Sequence, residues 1–187
     1  MTNDGHSLGS HSAVVLEQCG FEDVLPAWQN KLWPGRVSKI ESHSAMKWLG
    51  GIDLELMKAP ASFWCLRQQS ENLIVAVLSG HFGGLIEVKN HGSQERISET
   101  VRPVRSYRTR GLYVDPRFRG HSASKILMTA ALEQAKREAC EVAWTFPRQS
   151  TMPVYEKLGF KMVGQWIGEN DPGAGEFGPN CYAINYL

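Results

Sequence analysis

GLYVDPRFRGHSASKILM, residues 111–128, is the stretch from which the rest of the chain can be read. A β-like run, Ser106 to Val114, stops at Asp115-Pro116, because proline cannot donate into a strand ladder. A short turn carries Arg117 and Arg119, and His121 to Ala139 then reads as the clearest helix in the sequence. In that helix Ile126, Leu127, Ala130, Ala131, Gln134 and Ala135 trace one stripe, while Lys136, Arg137 and Glu138 face water. The first turn of a helix presents backbone N–H groups without internal partners, at the positive end of the helix dipole. With two arginines and the small residues Gly120, Ser122, Ala123 and Ser124 beside it, this backbone suits a pyrophosphate. Simple capping by Ser or Gly at a helix start accounts for the same residues equally well on spacing alone.

Upstream, residues 1–12 (MTNDGHSLGSHS) form a polar leader expected to be flexible, with His6 and His11 solvated rather than metal-bound. Ala13 to Leu16 reads as a short strand. Phe21 to Trp33 reads as a helix with Leu25, Trp28 and Leu32 at helical spacing, closed by Pro34-Gly35. Ser38 to Leu49 reads as a second helix, ended by Gly50-Gly51. Three β-like runs follow, Ser62 to Arg67, Leu73 to His81 and Leu85 to Val88, with a hairpin-like turn at Gln68 to Asn72 and a polar loop from Asn90 to Glu99.

Downstream come a buried-type strand, Val142 to Phe146, and a short helix, Ser150 to Leu158, with Gly159 placed for a left-handed cap. Lys161 to Ile167 and Asn180 to Leu187 are two final strands around the Gly/Pro-rich loop Asp171 to Pro179. The order predicts an α/β (α+β) architecture built on one mixed sheet, and 187 residues suit a single domain over 13–187.

The bulk numbers set limits on function. With 42% hydrophobic and 21% charged residues and a net charge of +1, the composition calls for neither a nucleic acid nor an acidic membrane as partner. The four cysteines (Cys19, Cys65, Cys140, Cys181) lack any zinc-ligand spacing, so no metal is expected. They read as reduced, mostly buried thiols of a cytoplasmic protein. No signal-peptide core or membrane-length apolar run is visible.

Rival phosphate and nucleophile motifs fail. There is no G-x-x-x-x-G-K-[ST] and no G-x-G-x-x-G. Gly120-His121-Ser122-Ala123-Ser124 approaches the G-x-S-x-G nucleophile elbow, but that chemistry needs a later histidine, and His121 is the last in the chain.

LYVDPRFRG before a small-residue helix, followed by PVYEKLGF at 153–160, resembles the GNAT superfamily of acyl-CoA N-acyltransferases. The family motif Arg/Gln-x-x-Gly-x-Gly/Ala falls on Arg119, Ser122 and Ser124, and its tyrosine motif on Tyr155, Gly159 and Phe160. The resemblance covers roughly 13–187 and is strongest in the C-terminal half. It implies a mostly antiparallel sheet splayed centrally at an acyl-CoA site. Leu112, Tyr113 and Val114 would hold the pantetheine and thioester carbonyl, and the N–H groups of Gly120, His121, Ser122, Ala123 and Ser124 the pyrophosphate, with Arg119 beside them.

Two serines where the family has glycine are a departure. Serine fits if both positions take helical φ, and is strained if the turn needs φ > 0. Arg148 stands near the family's pantetheine-binding asparagine, and Ser150 is the substitute. Tyr155 is the catalytic candidate: a phenol with pKa about 10 stays protonated at neutral pH and can serve a departing thiolate as acid. Its alternative role is a core aromatic beside Met152 and Leu158. His81, Glu87 and Asp115 are candidate bases, His81 first. Trp28, Trp33 and Trp48 would lie near the acceptor cleft. The loop Asp171 to Pro179, with Gly173, Gly175 and Gly178, is either a flap or a plain connector.

The activity implied is direct acyl transfer, usually acetyl, from acetyl-CoA to a primary amine of a small molecule or peptide. A non-catalytic acyl-CoA sensor or scaffold of the same fold is the alternative. A homodimer through the C-terminal strand is a further expectation.

Overall fold

The computed structural model describes residues 14–34, 61–89, 101–168 and 179–187. Seven strands form one open sheet in the order β1-β2-β3-β4-β5-β7-β6. They are β1 (Val14–Cys19), β2 (Ser62–Gln68), β3 (Leu73–Lys89), β4 (Val101–Val114), β5 (Val142–Thr145), β6 (Lys161–Ile167) and β7 (Asn180–Tyr186). Every neighbouring pair is antiparallel except β4 and β5. That one parallel pair requires a crossover, which the helix α2 (Ala123–Arg137) supplies. The helices α1 (Phe21–Ala27) and α3 (Met152–Glu156) complete the described set. The sheet is mixed and mostly antiparallel, as expected.

Strand alternation sorts two cores. Trp64 and Leu66 of β2 join the buried cluster under α2, where Leu127, Met128, Ala131 and Ala135 are fully enclosed. Phe63 and Cys65 point the other way, against Phe21, Val24 and Trp28. In α2 the buried face lies one position off the predicted stripe: Met128 is enclosed while Ile126 is 36% exposed.

Several boundaries move, each for a local reason. The strand predicted at Ala13 to Leu16 is Val14–Cys19. The helix predicted over Phe21 to Trp33 is α-helical only to Ala27 and continues as a π-helical turn, Trp28–Leu32. Pro26 lies inside α1 and has no N–H for the ladder, and the wider turn follows directly after it. The two runs Leu73 to His81 and Leu85 to Val88 are one strand. Gly83 and Gly84 are absorbed as a bulge, with Gly84 at φ +86°, so β3 bends rather than ends.

β4 starts at Val101, ahead of the predicted Ser106, and runs through Pro103, which is tolerated where β3 is the only paired strand. The helix predicted from His121 starts at Ala123, because Gly120 and Ser122 have φ of +83° and +61°. The segment Ser150 to Leu158 divides into a 3-10 turn, Gln149–Thr151, and α3. Gly159 takes φ +87°, and the Gln68 to Asn72 turn connects β2 to β3. The leader, the helix Ser38 to Leu49 with Trp48, the loop Asn90 to Glu99 and the loop Asp171 to Pro179 up to residue 178 lie outside the described residues.

Candidate functional site

β5 is short. It pairs with β4 only through Ser106↔Val142, Tyr107↔Ala143 and Arg108↔Trp144, and it ends at Thr145. From Thr109 to Val114, β4 therefore has no strand beside it on that side among the described residues, and the sheet opens. The Thr145 hydroxyl donates to the Thr109 carbonyl at 3.1 Å, the last tie across the gap.

In the open part β4 carries a bulge. Between the pairs Val77↔Tyr113 and Ser79↔Arg110 it spends one residue more than β3 does. Gly111 sits there at φ +68°, and its carbonyl accepts the Trp28 Nε1–H at 2.8 Å. The Ser79 hydroxyl donates to the Arg110 carbonyl at 2.9 Å. The extra residue reverses which face the side chains take. Tyr107 packs into the α2-side cluster, and beyond the bulge so do Leu112 and Val114, whereas Tyr113 packs on the α1 side.

The opening is a cleft of about 1010 Å³ that runs from the start of α2 across the β4 edge to α3. Of the predicted site residues, Leu112, Tyr113, Val114, Arg119, Gly120, Ser122, Ala123, Ser124, Ser150 and Tyr155 all line it. His121 does not, and its side chain is exposed. The two serines part company: Ser124 lies in the first turn of α2, while Ser122 adopts the left-handed conformation (φ +61°, ψ 11°) without a side-chain cap bond. The turn thus takes the strained alternative at one of the two positions. Gly120, at φ +83°, has nothing within 4 Å of where a β-carbon would sit.

Tyr155 is 8% exposed and packs edge-on against Phe160, with ring centroids 5.7 Å apart. Burial pushes its phenol up to about 12, with a small opposing effect from the Thr145 hydroxyl. Tyr155 is thus packed as a core aromatic and also lines the cleft.

The candidate bases are placed elsewhere. None of His81, Glu87 and Asp115 lines the cleft. The Asp115 carboxylate is committed to Arg117, accepting from its backbone N–H at 3.0 Å and from Nε at 3.1 Å, and is held below the usual range by that guanidinium. His81 is pushed below its ordinary value, chiefly by burial, with Arg108 and Arg110 adding repulsion. Its Nδ1 lies 2.9 Å from the Phe82 carbonyl, and its Nε2 is buried without a partner.

Charge along the cleft is one-sided. Lys31, Arg108, Arg110, Arg119, Lys125, Arg148 and Lys157 line it, and no Asp, Glu or His does so among the described residues. Sequence reading missed Lys31, Arg108, Arg110, Lys125, Lys157 and Thr145 as cleft residues. It also missed the bulge, for which a lone Gly111 in an otherwise strand-like run was the available signal. Trp28 and Trp33 flank this region, with Trp28 fully buried and Trp33 on the cleft wall. Three of the four cysteines are buried, Cys19 partly so, and none belongs to a metal-holding cluster among the described residues. No described helix is long and apolar enough to cross a membrane.

Comparison with known proteins agrees with this fold. Residues 33–160 match the family model of the acetyltransferase (GNAT) family. Among solved structures, an acetyltransferase of the GNAT family from Staphylococcus aureus Mu50 is 14% identical with TM-score 0.58, over 94% of this chain and 99% of that one. Escherichia coli ElaA is 12% identical with TM-score 0.58, over 92% and 99%. A chain of the NatC complex bound to Gag peptide and CoA is 16% identical with TM-score 0.53, over 93% and 98%. At these identities the likeness concerns the fold. A search of curated protein sequences returned no match.

Proposed function

Because this chain belongs to the GNAT acetyltransferase family, we propose that it transfers an acetyl group from acetyl-CoA to a primary amine by direct attack. The observation that carries the reading is the unpaired edge of β4, bulged at Gly111, facing the same cleft as the opening turn of α2.

The lining residues suit coenzyme A as co-substrate. Its phosphates are polyanionic, and the described wall offers cations without a carboxylate. Arg119, Lys125 and the backbone of Gly120 to Ser124 stand at the start of α2, where unpaired N–H groups and the helix dipole favour phosphate. Ser150, Arg148 and the backbone of Leu112 to Val114 would flank the pantetheine. When bound, the co-substrate supplies an activated acyl group as a thioester.

The chain's own groups then have three tasks. Backbone N–H groups at the β4 bulge polarise the thioester carbonyl and stabilise the negative charge that develops on its oxygen. Tyr155 serves the departing sulfur. Burial raises the phenol above its ordinary value and above that of an alkyl thiol, so full proton transfer to the departing thiolate is uphill. Tyr155 therefore acts as a hydrogen-bond donor to the thiolate rather than as a complete proton source. The third task is to deliver the amine unprotonated. With no carboxylate or histidine on the described wall, the cationic field performs part of it, because neighbouring positive charge lowers an ammonium pKa.

Calorimetric titration with acetyl-CoA, then thiol release measured across a panel of amines, tests the reading. Tyr155→Phe is expected to bind acetyl-CoA within about twofold of the parent and to release thiol about 100-fold more slowly. Absence of acetyl-CoA binding defeats the proposal outright. Binding without amine-dependent release would instead indicate a sensor of the same fold.

A further inference from the structure

Resting on that reading, we propose that the acceptor amine carries its own anionic group, received by Arg108 on the α1 side of the opening. Arg108 is the last β4 residue paired with β5 and stands at the vertex where the strands part. Its guanidinium lies over the Trp144 ring, 4.5 Å from the centroid, and lines the cleft.

No described carboxylate contacts this guanidinium, and its surroundings are cationic or neutral. His81 stands directly opposite on β3, and Arg110 follows two residues along the same face. Trp144 donates its indole N–H to Ser106, and Phe146 and Tyr182 extend the aromatic wall, with ring centroids 4.8 Å apart.

Three described arginines are neutralised in place, while Arg105, Arg119 and Arg137, all exposed, donate to neutral oxygens. Arg67 has Glu17 and Asp23, Arg102 has Glu141, and Arg117 has Asp115. Arg108 is the more deeply set group, and burial disfavours its charge. A guanidinium does not escape that cost by losing its proton at physiological pH. Partial desolvation of a guanidinium that has no counter-charge among the described residues is relieved by a bound anion. Trp144 covers one side of the guanidinium, and its N–H donors have no carboxylate partner among the described residues, so they suit a carboxylate or phosphate oxygen pair.

The geometry separates this group from the co-substrate. Arg119 and Lys125 stand at the α2 end of the cleft. Arg108 lies three residues, roughly 10 Å of strand, from the bulge at Gly111. An acceptor bridging that span places its amine toward the thioester and its anion on Arg108. An amine joined to a carboxylate or phosphate by a chain of about eight bonds, such as a long ω-amino acid or a dipeptide, has this chemistry. A polyamine does not, since every described charge on the wall repels it.

The test measures kcat/KM of the full-length protein on matched acceptors: long ω-amino acids and dipeptides against their amides, and the phosphate esters of long amino alcohols against the free alcohols. The anionic member of at least one pair should be preferred 10- to 100-fold, and the pair in which this occurs identifies carboxylate or phosphate. Arg108→Gln should erase that preference, and Arg108→Lys should retain part of it. Equal or better use of the neutral members by the parent protein overturns the inference, as does a preference that survives Arg108→Gln. Should Arg108→Gln fail to fold, judged by loss of acetyl-CoA binding, the parent ratios and Arg108→Lys decide. A parent protein that binds acetyl-CoA yet favours neutral amines loses only this inference. One that binds no acetyl-CoA loses the acetyltransferase proposal as well.

Discussion

Gly111→Ala should damage this protein far more than the same change at Gly120, although both glycines have positive φ, +68° and +83°. At Gly120 a β-carbon meets nothing within 4 Å, so the substitution costs only the left-handed backbone term, about 1–2 kcal/mol, reduced by about 0.4–1 kcal/mol through lost unfolded-state entropy. At Gly111 the new carbon falls onto the Trp28 indole, within 2.6 Å of Cζ2 and closer still to Cε2 and Nε1. Trp28 is fully buried between α1 and the sheet and has no room to retreat. Overpacking of this kind adds about 1–3 kcal/mol, and loss of the indole bond to the Gly111 carbonyl adds about 1 kcal/mol. The net is about 3–4 kcal/mol for Gly111→Ala against about 1 kcal/mol for Gly120→Ala. In a chain of this size the first corresponds to a fall of roughly 10 °C in Tm. Urea denaturation with unchanged m-values measures both. Equal losses at the two sites, or a loss under 1 kcal/mol at Gly111, would refute the claim that the indole locks the bulge.

The two serines in the α2 opening turn should respond differently to glycine. Ser122→Gly relieves a left-handed φ and is expected to leave stability within about 0.5 kcal/mol of the parent, whereas Ser124→Gly weakens a helical turn by about 0.5–1 kcal/mol. Chemical denaturation of the pair decides it, and the reverse order of stabilities would contradict the assigned turn. His81 predicts a pH effect with a definite sign. Burial and the nearby Arg108 and Arg110 lower its folded-state pKa below the ordinary 6.5, so below about pH 6.5 the unfolded chain binds the proton more readily. Stability should fall as pH drops through that region, and His81→Gln should flatten the fall. Urea midpoints at pH 7.5 and 5.5 test this, and parallel losses in the two proteins would exclude His81 as the source.

Local signals carried the sequence reading where the physics is local. Asp115-Pro116 ends a strand in any context, Gly159 caps a turn by its conformational freedom, and the apolar period of residues 123–137 requires a helix with one buried face. Those features, with the tyrosine motif, were enough to indicate the fold. Boundaries slipped where two local rules competed. Glycines 83 and 84 look like a strand end but serve as a bulge, because the long β3–β4 ladder recovers the lost pairing on the far side. Ser122 looks helical by residue type but is left-handed, since the chain must turn from Arg119 into α2 within a few residues.

Residue types and their order along the chain thus determined the mixed sheet, the crossover helix and the place of the turn at residues 120–124 ahead of it, because each follows from contacts within about one helical turn or one strand pairing. Only the tertiary structure decided that β5 stops at Thr145 while β4 runs on, that Trp28, 83 residues away, holds the bulge carbonyl, and that Arg108 meets Trp144 at the parting of the strands. It also removed His81, Glu87 and Asp115 from the cleft wall. Such facts depend on which face each side chain takes after a one-residue shift in register, and a single bulge reverses that face without altering the composition or periodicity from which a sequence is read.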